Sequence, residues 1–333
     1  MTLSPTSRAN AAHVMAWLLA CATFPLIWVG GLVTTTDAGM AFRDWLTSDG
    51  HFMLFYPWLS SAGEKFVEHG HRLLGASVGF LSIALVVVVW RTDQRGWVRK
   101  FSLAILAGVI LQGVLGGMRV VLDERTLALV HGCTGPLFFM MCVAMVVFTS
   151  RWWREVEPEA PTDKTRGLLR LAMLCTALAL AQLAVGAVVR HSPHLTGDFA
   201  SALFHAAVYF HLLLAVLIVV HVLLLAWRCC RNRLQVASGL CLAALVGIQI
   251  VLGFGTWVTK YGMPRWASGL VGEMSFVNRE ADFLQNAIVT SHVAVGSLIL
   301  AASLVIVLRV ARQFGVGSPR LALKHSPLTE GAR

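Results

Sequence analysis

Charge is what this 333-residue chain has least of: 13% of its residues are Asp, Glu, Lys or Arg, 57% are hydrophobic, and its mean hydropathy is +0.71. Soluble domains carry about a quarter charged residues, so a water-soluble fold is excluded. Acids are scarcest, 17 against 27 basic residues, which gives a net charge of +10. No cysteine lies in the long connections at 35–66 and 259–285: Cys21, Cys133, Cys142, Cys175 and Cys241 fall inside apolar runs, and Cys229 and Cys230 adjoin the end of one. A disulfide framework is therefore not expected. The first apolar run lacks the flanks of a cleaved leader, with only Arg8 before it and no clear small-x-small site after Gly30, so it is expected to persist as a span.

What is present is a series of eight apolar runs of bilayer length, at about 13–34, 70–90, 101–121, 127–149, 168–189, 203–227, 236–258 and 286–308. Basic residues gather in alternate connections: Arg91, Arg95, Arg99 and Lys100; Arg151, Arg154, Lys164, Arg166 and Arg170; Arg228, Arg231 and Arg233; and the tail Arg309, Arg312, Arg320, Lys324 and Arg333. That alternation is a topology signal rather than a nucleic-acid stripe, and it puts both termini and these connections in the cytoplasm of a plasma (inner) membrane protein. The remaining connections are outer, long and aromatic. Trp45, Phe52, Phe55, Tyr56 and Trp58 stand in the first, Trp266, Glu273, Phe276 and Arg279 in the last, either as an interfacial belt or as a cover for a ligand.

Four histidines carry the chemistry. His71 and His131 each precede an arginine by 20 residues, Arg91 and Arg151; His211 and His292 precede Arg228 and Arg309 by 17. At about 1.5 Å per residue they sit roughly 26–30 Å from the opposite boundary, all near the outer face. A single imidazole in hydrocarbon can serve as a helix-to-helix hydrogen-bond donor. Four at matched depth are what the axial ligands of two haems require, one pair in each half.

The halves repeat beyond the histidines. Gln112-Gly-Val-Leu115-Gly116 corresponds to Gln249-Ile-Val-Leu252-Gly253, His131-x-x-x-Gly135 to His292-x-x-x-Gly296, and Val29-Gly30-Gly31-Leu-Val33 to Val185-Gly186-Ala187-Val-Val189. Small residues of this kind let membrane helices approach closely, and the same face admits a flat porphyrin. The expected architecture is an all-α integral membrane protein of eight transmembrane helices, two tandem four-helix bundles related by a pseudo-twofold axis along the membrane normal. Its parts are 1–154, a cytoplasmic linker at 155–165, 166–312, and a cytoplasmic tail at 313–333.

Glu68 breaks the repeat. It precedes His71 by three residues and so shares its helix face, whereas Val208 holds that place before His211. A carboxylate near a helix start is also an ordinary solvated charge favoured by the helix dipole. The asymmetry points to one haem held for electron transfer and one worked upon. On the sixth run His205, His211 and His221 compete; the Arg228 spacing favours His211, with His205 next and His221 too deep. Arg72, Arg119 and Arg190 lie at the depth of haem propionates, or cap helix ends, or pair with Asp123 or Glu124.

Taken together, these residues resemble the haem A synthase family over nearly all of 13–309. The resemblance is carried by Gly30-Gly31-Leu-Val-Thr34-Thr-Thr-Asp37-Ala-Gly39 with Asp44-Trp45, by Glu68-x-x-His71-Arg72, Leu111-Gln-Gly-Val-Leu-Gly-Gly117, Leu129-Val-His131 and Val188-Val-Arg190-His191, and by His292. It implies an enzyme that oxidises the ring D methyl group of haem O to a formyl group for terminal oxidase biogenesis. On that resemblance His211 and His292 hold a haem b cofactor in the C-terminal half, and His71, His131 and the acid Glu68 form the substrate site for haem O. Haem O synthase and an electron acceptor are the implied partners besides membrane lipid. Outer-loop cysteine pairs of some bacterial members are absent, Ala41 and Phe42 standing where one is expected. A dihaem b-type electron-transfer cytochrome predicts equivalent halves and is disfavoured by Glu68; a haem transporter or chaperone calls for ionisable residues at the midplane, which are sparse.

Overall fold

The computed structural model of the chain describes residues 5–191, 198–262 and 283–315. Its helices are α1 (Pro5–Thr35), α2 (Gly63–Thr92), α3 (Gly96–Val121), α4 (Arg125–Thr149), a short α5 (Arg151–Glu155), α6 (Asp163–His191), α7 (Asp198–Asn232), α8 (Val236–Tyr261) and α9 (Phe283–Gln313). A minimal hairpin, β1 (Thr47–Ser48) and β2 (His51–Phe52), sits in the connection after α1. Every helix but α5 is long and apolar enough to cross a membrane. The protein is an all-helical multi-pass membrane protein.

Each of the eight apolar runs is helical because, in lipid, backbone N–H and C=O groups must be satisfied within the segment. The helices outrun the apolar residues: α2 starts at Gly63 and α8 continues to Tyr261. Hydropathy marks only the stretch in hydrocarbon, while the hydrogen-bond ladder continues into the interface. Large apolar side chains such as Trp17, Phe80, Ile110, Val216, Leu223 and Val251 face outward, which is favourable only against lipid.

Packing divides the helices into two sets. Leu19, Val78, Leu85, Ile105 and Met145 form one core from α1 to α4. Leu168, Ile218, Leu225, Leu242, Leu300 and Ile306 form another from α6 to α9. In the first set α1 and α3 each touch α2 and α4; in the second α6 and α8 each touch α7 and α9. The sets meet through α1 with α9, α4 with α9, and α4 with α6.

The polar linker is shorter than the sequence indicates, because α5 holds its first residue and α6 begins at Asp163, leaving 156–162. It is tied down: Glu159 N–H donates to the Gln313 carbonyl at 2.8 Å, and Arg312 donates from Nε to Trp153 O at 3.0 Å and from Nη2 to Val156 O at 3.2 Å. Trp266, Glu273, Phe276 and Arg279 of the connection after α8, and Arg320, Lys324 and Arg333 of the tail, lie outside the described residues.

Candidate functional site

The four histidines form two pairs. His71 on α2 and His131 on α4 have ring centroids 6.4 Å apart with planes at 86°; His211 on α7 and His292 on α9 are 6.3 Å apart at 58°. Each ring lies edge-on against a glycine of the preceding helix in its set. A Cβ on Gly30, Gly116, Gly186 or Gly253 would meet Cε1 of His71, His131, His211 or His292 at 2.8, 3.2, 3.1 and 3.0 Å respectively. Glutamines precede three of these notches by one turn. Gln182 Nε2 donates to His211 O at 3.1 Å, Gln249 Nε2 to His292 O at 3.0 Å, and Gln112 Nε2 to Thr134 Oγ1 at 2.6 Å.

These features bear on whether a haem fits. In all four rings Nδ1 is buried with no hydrogen-bond partner. The Cε1–Nδ1 edge of each ring lies against its glycine, so Nε2 is the nitrogen that would take a metal; His292 Nε2 lies 3.4 Å from Gln249 Nε2. A metal held by one nitrogen of each ring at about 2 Å, with about 1 Å more to each ring centre, sets centroids about 6 Å apart. Among the described residues no cluster of three or more His, Cys, Asp or Glu could hold an ion. Iron between two imidazoles would need its other ligands from elsewhere, and a porphyrin supplies four. Gly75 and Gly79, one and two turns along α2 from His71, have nothing within 4 Å of where a Cβ would stand.

The competing histidines of α7 are engaged with their own helix. His205 is exposed with Nδ1 2.7 Å from Ser201 O, and His221 Nδ1 lies 2.7 Å from Leu217 O. His211 is the one brought against His292.

The first pair has an elaborate polar surround. Glu68 is 3% exposed: Oε1 accepts from Arg72 Nη2 at 2.7 Å and Nε at 3.1 Å, and Oε2 accepts from the Phe42 N–H at 3.1 Å. It stands five residues into α2, beyond the first turn, so the reading of a solvated charge at the helix start is corrected. Arg72 Nη1 also donates to the carbonyls of Asp44 and Thr47, both at 2.9 Å. Its guanidinium lies 5.0 Å from the centre of the fully buried Phe42 ring. His69 packs against Tyr56 at 4.6 Å and has Nδ1 3.1 Å from Ser48 Oγ.

The connection after α1 is thereby drawn onto the start of α2 and across to α3. Arg119 Nη2 donates to Gly39 O at 3.0 Å, and the Trp45 indole occupies the space of a side chain at Gly117, next to the notch glycine Gly116. Asp44 accepts from the N–H groups of Asp49 and Gly50 at 3.2 and 3.0 Å. Its partial burial raises the carboxyl pKa, but hydrogen bonds from Thr47, Gly50 and Asp49 outweigh this and hold it below the ordinary value. The aromatics divide: Phe42 and Trp45 turn inward, whereas Phe52 and Phe55 are exposed.

Arg190 joins the two sets, donating from Nη2 to Gly31 O and Thr35 Oγ1 of α1, both at 2.7 Å. None of Arg72, Arg119 and Arg190 therefore points idly at the site; each already holds carbonyls of the loop or of α1. Sequence reasoning missed Gln182 and the role of the four glycines. The signal was the spacing of Gln182 and Gly186, the same four residues as in the two Gln-x-x-Leu-Gly motifs.

Comparison with known proteins gives a concordant picture. Residues 13–268 match the COX15-CtaA family, described as cytochrome oxidase assembly protein. The chain is 26% identical over 208 residues to a heme A synthase of Beijerinckia indica, covering 52% of this chain and 56% of that protein. It is 25% identical over 221 residues to a heme A synthase of Hyphomonas neptunium, covering 57% and 62%. A protoheme IX farnesyltransferase of Haloarcula marismortui is 31% identical over 141 residues, 41% of this chain and 28% of its own length. In each case the chain spans less than two thirds of the relative.

Proposed function

The chain belongs to the COX15-CtaA family of cytochrome oxidase assembly proteins, and from that membership we propose that it is a haem A synthase. It oxidises the ring D methyl group of haem O to a formyl group. In formal balance, –CH₃ and one water become –CHO, four protons and four electrons, which an acceptor must remove. The observation that carries the reading is the pair of histidine pairs at 6.4 and 6.3 Å, each imidazole seated in a glycine notch.

In this reading residues 1–154 form the substrate half, with haem O between His71 and His131. Residues 166–312 form the cofactor half, in which His211 and His292 would hold haem b; when bound, it supplies one-electron transfer. Residues 155–165, of which 156–162 lie between helices, link the two, and the tail from 313 is cytoplasmic. The pseudo-twofold relation is supported by the matched helix contacts and by the correspondence of Gly30, Gly116, His71 and His131 to Gly186, Gly253, His211 and His292. The basic connections support cytoplasmic termini in the plasma membrane and haem sites toward the outer face.

Three tasks fall to the chain's own residues. The notches and glutamines fix the imidazoles, which keeps ligand orientation from varying. Glu68, beside His71, stabilises positive charge developing at the methyl carbon or takes the proton that leaves it. Arg72, Arg119 and Arg190 keep the site electropositive for propionates while holding the loop and α1 in place. Haem O comes from a farnesylating enzyme.

A dihaem electron carrier is the second reading, favoured by the near-equal ring separations. One experiment separates them: haems are extracted and chromatographed from membranes expressing this chain with a haem O supplier. Haem A accumulation is expected; membranes containing only haem B and haem O would leave the electron-carrier reading.

The notches make a separate prediction. Overpacking typically costs about 1–3 kcal/mol, and here the intruding atoms would press on the ring. Gly253→Val is expected to lower b-type haem per chain at least several-fold with helix content unchanged, measured by pyridine haemochrome and far-UV circular dichroism. Gly247→Val, on the same helix but with nothing near its Cβ, should retain full haem. Equal haem in both variants would remove the notch from the argument.

A further inference from the structure

At the end of the molecule opposite the histidines, a cleft of about 450 Å³ is lined by Arg95, Trp97, Trp153, Arg154 and Arg312. Its volume falls in the range of small-ligand sites, about 300–1,000 Å³. The lining residues come from the start of α3, from α5 and from the end of α9, so the cleft lies where the two helix sets come together. Three guanidiniums line it, and the acid held among them is Asp93, whose carboxylate takes Arg95 Nε at 3.0 Å and Nη2 at 2.5 Å. Glu155 forms an exposed pair with Arg151, and its charge also acts on Arg154.

The arginines are braced rather than loose. Arg95 Nη2 also donates to Phe148 O at 2.9 Å and its guanidinium lies 5.4 Å from the Trp97 ring centre. Arg312 lies 5.8 Å from the Trp153 ring while bonding Trp153 O and Val156 O. Trp97 and Trp153 both pack on Phe148, at 5.0 and 4.9 Å, which gives the cleft an aromatic floor. Burial first, and then the neighbouring Arg95 charge, lower the Arg154 pKa from its usual value, while the charges of Asp93 and Glu155 act the other way.

We propose that this cleft binds the phosphate of an anionic phospholipid headgroup, with Arg154, Arg95 and Arg312 as the phosphate-facing groups and the two tryptophans at the acyl boundary. Preorganised guanidiniums match phosphate oxygens in fork geometry. Basic pockets between membrane helices on the positively charged side recruit anionic lipid headgroups, and tryptophan is the residue of the membrane interface. The position at the ends of α3, α4 and α9 favours a lipid over a soluble phosphate. A lipid bound there would tie α3 and α5 to α9, clamping the two sets at their basic end. This is independent of the haem reading.

Native mass spectrometry of the full chain in detergent, titrated with phosphatidylglycerol, phosphatidylcholine or inorganic phosphate, tests it. Phosphatidylglycerol is expected to bind about tenfold more tightly than phosphatidylcholine, and Arg154→Gln to weaken it about fivefold, the loss expected for one arginine near an anionic surface. Arg166→Gln, on the exposed first turn of α6, should change nothing. Should Arg154→Gln not fold, lipids co-purifying with the unaltered chain decide the matter: anionic lipid must be enriched over the bulk membrane. Equal affinity for the two lipids, an unaffected Arg154→Gln protein, absence of enrichment, or displacement of the lipid by millimolar phosphate would each overturn the proposal.

Discussion

A His292→Ala chain purified from membranes is expected to carry no low-spin b-type haem in its C-terminal half, and His211→Ala to behave the same way. The two rings are 6.3 Å apart and each is backed by a glycine. A group held between them would lose one of its two protein ligands in either variant, and among the described residues no third imidazole stands ready. His205 and His221 are the natural substitutes by sequence, but both are hydrogen-bonded to carbonyls one turn back on their own helix. Their alanine variants should therefore keep the spectrum. The measurement is the reduced-minus-oxidised absorption difference per chain; loss of the signal in His205→Ala with retention in His211→Ala would reverse the assignment on α7.

Much of this arrangement was legible in the sequence because it repeats along helices. The apolar runs report lipid exposure directly, and the histidine depths follow from a fixed rise per residue. The Gln-x-x-Leu-Gly motifs were visible as repeats, yet their use was not. Gly116 and Gly253 look like any small residue at a helix contact, and only the packed neighbour shows that the contact is an imidazole edge. Gly30 and Gly186 were hidden for the same reason. The connection after α1 was least legible, since its contacts join residues far apart in sequence: Phe42 N–H to Glu68, Gly39 O to Arg119, and Trp45 to Gly117. No periodicity records such pairs. Glu68 was found as an asymmetry between halves; its burial, and the partners that make burial tolerable, needed the fold.

The consequence for catalysis centres on that buried carboxylate. Breaking a buried ion pair by deleting one partner costs about 3–5 kcal/mol, but Glu68→Gln keeps the shape and an oxygen acceptor for the Phe42 N–H or Arg72. Arg72 also retains its two loop carbonyls. The fold and the haem b of the other half are therefore expected to survive. Haem A formation is expected to fall by about 10²–10³, the usual cost of removing one preorganised electrostatic group, with haem O or a hydroxylated intermediate accumulating. Arg72→Lys separates two ways in which Glu68 can act. If the carboxylate serves only to hold the loop through Arg72, Arg72→Lys loses the fork and should lose as much haem A as Glu68→Gln. If its negative charge acts on the substrate, Arg72→Lys keeps a counter-charge and most of the activity, while Glu68→Gln does not. A quantitative time course of haem A in both variants reads the difference. Unchanged haem A in Glu68→Gln would return the residue to a purely structural ion pair, and would remove the acid that the C-terminal half replaces by Val208 from the case for a substrate site.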